Sequence, residues 1–216
     1  MRCRDDGGQL SATRFVMFYW VLYWFVRIIF SLYFRIKVHG VEKVPRTGPL
    51  LILVNHLTLL DPPMAAVLMP RSVYFMAKVE LFEYPVLGWL IRHLHAFPVR
   101  RGYPDRYAIR TSLRLLEEQK ALMIFPEGHR SATGLLQEAR AGAAYLAQKT
   151  GCPCIPIGIS GQYGFRKTIH YSIGEIFTIP RDMNRHEAQK LVMQKIAEQI
   201  PGNSALPMSR KKPLRR

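Results

Sequence analysis

The chain has 216 residues, of which 49% are hydrophobic; this length and composition predict one folded domain with a buried core and exclude a disordered chain. Its 31 Lys and Arg residues outnumber 15 Asp and Glu, and the formal net charge of +16 predicts an anionic partner: nucleic acid, an acidic membrane surface or a phosphorylated substrate. The three cysteines exclude a disulfide framework. Cys152 and Cys154 lie one residue apart, which suits neither a redox pair nor a zinc site, and we expect core cysteines in a reducing compartment.

The N-terminal region contains a long apolar stretch, from Phe15 to Phe34. Ten of the 24 aromatic residues of the chain lie in it, and only Arg27 and Ser31 are not apolar. Its 20 residues are long enough to span a bilayer. However, Arg27, Ser31 and Arg35 recur at helical spacing and continue a stripe through Trp24 and Trp20. This stripe favours a helix that lies in the membrane interface over one that spans, and a helix packed on the domain's own core is the remaining alternative.

Strands and helices alternate after this segment, which predicts a single α/β domain with a mostly parallel or mixed sheet flanked by helices. The predicted strands are 50–54, 73–77, 96–100, 121–125, 154–160 and 169–179, and the predicted helices are 62–69, 80–95, 106–119, 139–151 and 184–200. We therefore divide the chain into a membrane-associated segment, 1–40, a folded domain, 41–205, and a basic tail, 206–216.

Two predicted strands end in clusters of polar residues. The strand 50–54 runs into "NHLTLLD", from Asn55 to Asp61, and the strand 121–125 runs into "FPEGHRS", from Phe125 to Ser131. Ligands of open α/β sheets gather beyond the carboxyl ends of the strands, so His56 is placed where chemistry usually occurs. Asp61 either caps the following helix or accepts a hydrogen bond from His56, which would fix the tautomer of the imidazole ring.

Together, the two clusters resemble the glycerolipid acyltransferases, the family that contains the 1-acylglycerol-3-phosphate acyltransferases. The family's paired motifs are NH-x4-D, complete here, and FPEGTRS, matched at six of seven positions. "AFPVRR", "ARAGAAYLA" and "CIPIGI" resemble lesser motifs of the family and point to Arg101, Arg140 and Pro156. The resemblance covers roughly residues 45–161. His129 departs from the family's usual threonine, His95 stands where glycine is common, and Arg100 adds a positive charge.

The resemblance implies transfer of a fatty acyl group from a thioester to a glycerol hydroxyl, with His56 as the base and Asp61 as its partner. Arg101 and Arg130 would bind the phosphate of the acceptor. The expected substrate-binding residues are Arg101, Glu127, Gly128, Arg130 and Ser131, with further candidates at Asn55, His129, Arg140 and Pro156. We expect no acyl-enzyme, metal or cofactor, and either acyl-CoA or acyl-carrier protein as donor.

The expected acceptor is lysophosphatidic acid, which would give phosphatidic acid in phospholipid biosynthesis. Glycerol-3-phosphate, another lysophospholipid and a His/Asp-based lipid hydrolase remain as alternatives. No nucleic-acid motif is present, so we expect no nucleic-acid partner despite the charge. We expect the protein at a phospholipid membrane on its cytoplasmic face, the cell membrane if the source is bacterial, attached through the interface.

Overall fold

Seven strands form the sheet on which the protein is built. The computed structural model describes residues 6–100, 105–131 and 133–201, with side chains from Tyr19 onward. The strands are β1 (Arg35–His39), β2 (Leu50–Val54), β3 (Val73–Lys78), β4 (Ala96–Val99), β5 (Ala121–Ile124), β6 (Cys154–Gly161) and β7 (Thr168–Ile173). The helices are α1 (Asp6–Tyr33), α2 (Asp61–Leu68), α3 (Pro85–His93), α4 (Arg106–Glu117), α5 (Ala141–Thr150) and α6 (Arg185–Ala197), with 3₁₀ turns at Val41–Lys43 and Val79–Phe82.

The strand order is β1-β7-β6-β2-β5-β3-β4, and every pair is parallel except β6 with β7. The predicted mixed α/β sheet is therefore confirmed. Strand β2 lies near the centre and is buried along its whole length, as its unbroken apolar sequence predicts. Because β2 and β5 are parallel neighbours, the polar segments that follow them leave the sheet at the same edge.

Helices cover both faces of the sheet. Leu50, Ile52 and Val54 of β2 pack on one face, in a core shared with α1, α2 and α3. Leu51 and Leu53 pack on the opposite face, in a core shared with α4, α5 and α6. The alternation along β2 therefore divides the interior into two layers, and the carboxyl edge of the sheet lies between them.

Helix α1 is docked on α2. The Tyr23 hydroxyl donates to the carbonyl of Met69 over 3.0 Å, and Arg27 Nη1 donates to the carbonyl of Val67 over 3.1 Å. The predicted stripe of Arg27, Ser31 and Arg35 is wrong at two positions: Arg27 lies on the side that faces the domain, and Arg35 belongs to β1 because the helix ends at Tyr33. None of the helices in the described residues combines the length and hydropathy that crossing a membrane requires.

Strand β1 is absent from the sequence-based prediction and falls inside the segment 1–40. It pairs in parallel with β7 at the edge of the sheet, from Arg35 opposite Thr168 to His39 opposite Ser172. Buried Phe34 joins the helix to this strand. The N-terminal region therefore continues directly into the sheet.

Candidate active site

His56 and Asp61 form a buried pair at the carboxyl end of β2. Nδ1 of His56 lies 2.9 Å from Oδ2 of Asp61, because the four intervening residues curl back on themselves. The Asp61 carboxylate also accepts hydrogen bonds from the amides of Leu57 and Thr58, at 2.5 and 2.7 Å, from the Thr58 hydroxyl at 3.1 Å and from the Tyr163 hydroxyl. These donors compensate for the burial of the carboxylate and fix its orientation. With Nδ1 held by Asp61, Nε2 of His56 is left to exchange a proton.

The backbone of His56 is held by the second motif. Its amide donates to Oε1 of Glu127 over 3.0 Å, and its carbonyl accepts from the amide of Ser131 over 2.8 Å. The Ser131 hydroxyl in turn donates to the carbonyl of Leu135 over 2.7 Å. Glu127 and Ser131, expected to bind substrate, thus position the imidazole through its main chain.

The Glu127 carboxyl is buried, with 1% of the residue exposed. Burial raises its pKa to about 7. Hydrogen bonds from the backbone of His56 and, to a lesser degree, of Gln137 act in the opposite direction and lower the pKa. Oε2 of Glu127 is also buried and has no hydrogen bond of ordinary geometry. The carboxyl is therefore protonated more readily than that of an exposed glutamate. A proton on Oε2 would leave Oε1 able to accept the hydrogen bond from the His56 amide.

His56 lines a cavity of about 770 Å³. It extends between the carboxyl edge of the sheet and helices α4 and α5, and much of its lining is apolar, including Met76, Val99, Met123 and Leu146. Three guanidinium-bearing residues, Arg100, Arg140 and Arg185, also line it. An apolar space with a few cationic groups suits a ligand that has both a hydrocarbon chain and an anionic group.

The Arg140 side chain packs closely on the backbone of Gly128. Gly128 has a φ of +73°, and a Cβ atom on it would lie 2.5 Å from Cδ of Arg140. The Arg140 side chain therefore crosses the backbone of the motif at a point where only glycine leaves room. Arg140 lines both the large cavity and a second, more polar one of about 360 Å³ that also contacts Glu127, His129, His186 and Lys190.

Three other predicted residues are placed differently. Asn55 bonds the backbone of Ile159 twice, at 3.0 and 2.6 Å, and so ties β2 to β6. Pro156 lies buried within β6, and Arg130 is exposed; neither lines the two cavities. Arg101 lies outside the described residues.

The sequence-based prediction missed two contacts of the pair. Tyr163 reaches Asp61 from the loop between β6 and β7, and burial raises the pKa of its hydroxyl, with the Asp61 charge adding to the effect. The Phe125 ring packs on the His56 ring with centroids 4.4 Å apart. Tyr163 has no motif spacing that could reveal it, whereas Phe125 belongs to the quoted motif.

Comparison with known proteins gives the family. The family model described as Acyltransferase matches residues 35–160. The chain is 31% identical over 137 residues to the 1-acyl-sn-glycerol-3-phosphate acyltransferase of Bacillus subtilis, covering 63% of this chain and 68% of that protein. It is 33% identical over 139 residues to the protein of the same name from Streptococcus pneumoniae, covering 63% of this chain and 51% of that protein.

Two further similarities concern the acceptor and the fold. The chain is 29% identical over 161 residues to the lyso-ornithine lipid O-acyltransferase of Pseudomonas aeruginosa, covering 74% of this chain and 59% of that one. The crystal structure of the 1-acyl-sn-glycerophosphate acyltransferase PlsC from Thermotoga maritima has the same fold, with a TM-score of 0.63 and 24% identity, over 92% of this chain and 83% of that one. Because the family model matches more than half of the chain, this protein belongs to the acyltransferase family.

Proposed function

We propose that this acyltransferase transfers a fatty acyl group from acyl-CoA or acyl-carrier protein to the hydroxyl of lysophosphatidic acid, giving phosphatidic acid. The observation that carries the proposal is that His56, paired with Asp61, lines a largely apolar cavity of about 770 Å³. The names of the Bacillus subtilis and Streptococcus pneumoniae relatives support this acceptor.

His56 acts as the general base. Nε2 takes the proton of the acceptor hydroxyl while its oxygen attacks the thioester carbon, and the resulting imidazolium is stabilised by Asp61 through Nδ1. The tetrahedral intermediate then collapses: the carbon–sulfur bond breaks, the ester remains on the acceptor and the thiolate takes up the proton from His56. No side chain of the enzyme becomes acylated in this scheme.

Cationic residues bind the phosphate of the acceptor. The resemblance assigns this role to Arg101 and Arg130. A role for Arg140, a further candidate from the sequence, is supported by its position beside the Gly128 backbone and in the lining of the cavity that includes His56. Arginine suits phosphate because its planar fork donates two parallel hydrogen bonds. The apolar part of the same cavity receives the acyl chain.

The protein is attached to the membrane through α1. The exposed side of this helix is apolar and aromatic, at Trp20, Val21, Trp24, Phe25, Ile28, Ile29, Leu32 and Tyr33. The opposite side packs on the domain, so the helix lies along the protein surface, a placement that suits interfacial attachment. The cytoplasmic face is proposed because the acyl carriers are cytosolic.

The purified protein should be incubated with acyl-CoA or acyl-carrier protein and a panel of acceptors, with all products identified by mass. The panel contains lysophosphatidic acid, glycerol-3-phosphate, lysophospholipids with larger headgroups and lyso-ornithine lipid. We expect phosphatidic acid as the main product, and we expect its formation to be lowered about 10²- to 10⁴-fold in the His56→Ala variant. Preferential formation of another lipid would overturn the acceptor, and release of free fatty acid without any acylated lipid would show a hydrolase.

A further inference from the structure

All three tryptophans of the chain are exposed, and they lie on two helices. Trp20 and Trp24 are on α1, 37% and 55% exposed, and Trp89 is on α3, 48% exposed. Tryptophan is a residue that soluble surfaces seldom expose, and it concentrates where a membrane meets water. Helix α3 therefore shares with α1 a feature that the catalytic site does not explain.

The start of α3 presents further apolar side chains. Tyr84 is 62% exposed, Val86 80% and Leu87 38%, and no residue between Tyr84 and Trp89 is charged. The opposite side of the helix packs on the domain: Ile91 is buried, and a Cβ atom on Gly88 would lie 2.5 Å from the Phe82 carbonyl oxygen. These exposed side chains therefore form a fixed apolar surface.

The exposed sides of α1 and α3 face the same way. Both helices cover the same face of the sheet and bury their opposite sides in the same core, so both exposed sides point away from that face. The two helices are in contact. In addition, the Tyr19 ring of α1 stacks at 4.3 Å on the His95 ring, which follows α3, and His95 stacks at 4.6 Å on Tyr74 of β3. The two surfaces thus belong to one rigid unit.

Basic residues border this surface. Exposed Arg92 lies in the last turn of α3, and exposed Arg35, Lys37, Arg166 and Lys167 lie near the C-terminal end of α1. Acidic side chains occur before α3, where Glu80 pairs with Lys78 over 2.8 Å and Glu83 is exposed. An apolar centre with a mainly basic border complements a leaflet that contains acidic phospholipids.

We propose that α3 is a second membrane-binding element, whose residues Val86, Leu87 and Trp89, together with the preceding Tyr84, enter the headgroup region of the leaflet that α1 contacts. The inference rests on the proposed attachment through α1 and adds to it. A single helix lying in an interface leaves the protein free to roll about the helix axis. Contact of α3 with the lipid removes that freedom and fixes the orientation of the carboxyl edge of the sheet, where His56 lies, relative to the membrane.

Trp89 itself can report its position. In the Trp20→Phe, Trp24→Phe variant it is the only tryptophan, and vesicles of phosphatidylcholine and phosphatidylglycerol brominated at defined acyl carbons quench tryptophans by depth. The matched control carries Phe at all three tryptophan positions together with Tyr107→Trp, because Tyr107 is an exposed aromatic residue on α4, on the other face of the sheet. We expect bromines close to the headgroups to quench the fluorescence of Trp89 strongly, and we expect no quenching of the tryptophan at position 107 in the control.

Affinity gives a second, independent measurement. Val86→Asp with Trp89→Asp should weaken vesicle binding on the order of 10-fold or more, since it replaces two apolar contacts with charge, and Tyr107→Asp should change nothing. Unchanged circular dichroism and thermal unfolding check the fold of each variant. Acyl transfer to a dispersed short-chain acceptor should persist in all of them.

Each outcome separates the inference from the proposals it rests on. Vesicle binding with quenched Trp20 and Trp24 but unquenched Trp89 overturns the role of α3 and leaves the attachment through α1 intact. Concentration-dependent dimers that Val86→Asp dissociates, without quenching of Trp89, would identify a second copy of the chain as the occupant and also overturn the inference. Absence of acyl transfer by the wild type would refute the proposed reaction without altering the quenching result.

Discussion

At the scale of single residues, the two motifs have different tasks in the structure. Asp61 holds the imidazole ring of His56, whereas Glu127 and Ser131 hold its backbone. His56, the proposed general base, is thus fixed at its ring and at its backbone by residues that follow two neighbouring strands. Substitutions can therefore distinguish a residue that takes part in the proposed reaction from one that positions His56.

His56→Ala should lower kcat by about 10²- to 10⁴-fold, because it removes the general base. The substitution leaves the four other donors to Asp61 in place, so we expect the fold to survive. Steady-state kinetics with circular dichroism measure both effects. His39→Ala is the control, since His39 is an exposed histidine on β1. A near wild-type rate in the His56→Ala variant would refute the mechanism.

Tyr163→Phe should impair both stability and rate while leaving the ring contact with Phe34 intact. The change removes a hydroxyl donor from the buried Asp61 carboxylate, and hydrogen bonds to charged groups are worth about 1.5–3 kcal/mol. Denaturant unfolding measures the loss of stability, and kinetics should show a lower kcat with little change in KM. The control is Tyr107→Phe, at an exposed tyrosine that lines neither cavity; equal effects of the two substitutions would contradict the role of Tyr163.

The raised pKa of Glu127 predicts a pH dependence of stability. Its ordinary pKa is 4.5 and its folded value about 7, so between these values the folded state binds the proton more tightly than the unfolded state does. The stabilisation is fully present below pH 4.5 and is lost as the pH rises through 7. Glu127→Gln keeps an oxygen for the His56 amide and cannot ionise.

The free energy of unfolding of the wild type should therefore fall relative to Glu127→Gln over this window, by on the order of 2 kcal/mol. Denaturant titrations of both proteins at several pH values measure the difference. Glu138→Gln, at an exposed glutamate nearby, is the control. Parallel curves for the wild type and Glu127→Gln would show that Glu127 is ionised alike in both states.

At the scale of elements, the family, the mixed sheet and the site edge were all predictable, because buried parallel strands have apolar runs and the motifs stand at their ends. Strand β1 was missed because its five residues are half exposed and its partner β7 lies more than a hundred residues away. Tyr163 was missed for the same reason: only the folded chain brings it to Asp61. The stripe was misread at Arg27, since helical spacing shows which residues share a side and not which side packs on the domain.

The docking of α1 should depend on pH through His95. This residue has a φ of +63°, stacks between Tyr19 and Tyr74, and has its pKa lowered to about 4 by burial, with Lys120 and His93 adding to the effect. The neutral ring is thus favoured in the folded state, and its stabilisation is present above pH 6.5 and lost as the pH falls towards 4.

Acidification should therefore loosen α1 before the sheet unfolds, and limited proteolysis between pH 7 and 4 should detect cleavage within the helix. His95→Asn provides the comparison, because asparagine tolerates a positive φ and does not titrate. We expect the variant to be cleaved more at pH 7 and to show a weaker pH dependence. Identical pH profiles would exclude His95 as the cause.

At the scale of the whole molecule, a series of contacts links α1 to the His56–Asp61 pair. The exposed side of α1 contacts lipid in the proposed arrangement, and its C-terminal end leads to Phe34, whose ring packs on Tyr163. Tyr163 in turn bonds Asp61, which holds His56. Deleting the helix would remove buried Tyr19, Leu22 and Tyr23, uncover the core that they cover and disturb this chain of contacts, so substitutions on its exposed side are the cleaner test of attachment.

The balance between charge and apolar burial gives the last prediction. The net charge of +16 attracts the protein to acidic vesicles, with each basic residue near the surface worth about 1 kcal/mol, but the screening length falls to about 3 Å in 1 M salt. Burial of the exposed aromatic side of α1 is not screened by salt. High salt should therefore slow association and weaken binding to acidic vesicles, yet leave bound protein on the membrane, whereas detergent should release it.

Sedimentation with acidic and with neutral vesicles, at low and high salt, measures the two contributions separately. Trp24→Glu with Phe25→Glu, on the exposed side of α1, should convert the attachment to one that salt reverses, and Tyr107→Glu should not. Complete release of the wild type by 1 M salt would mean that charge alone holds the protein, and that the aromatic side of α1 stays in water.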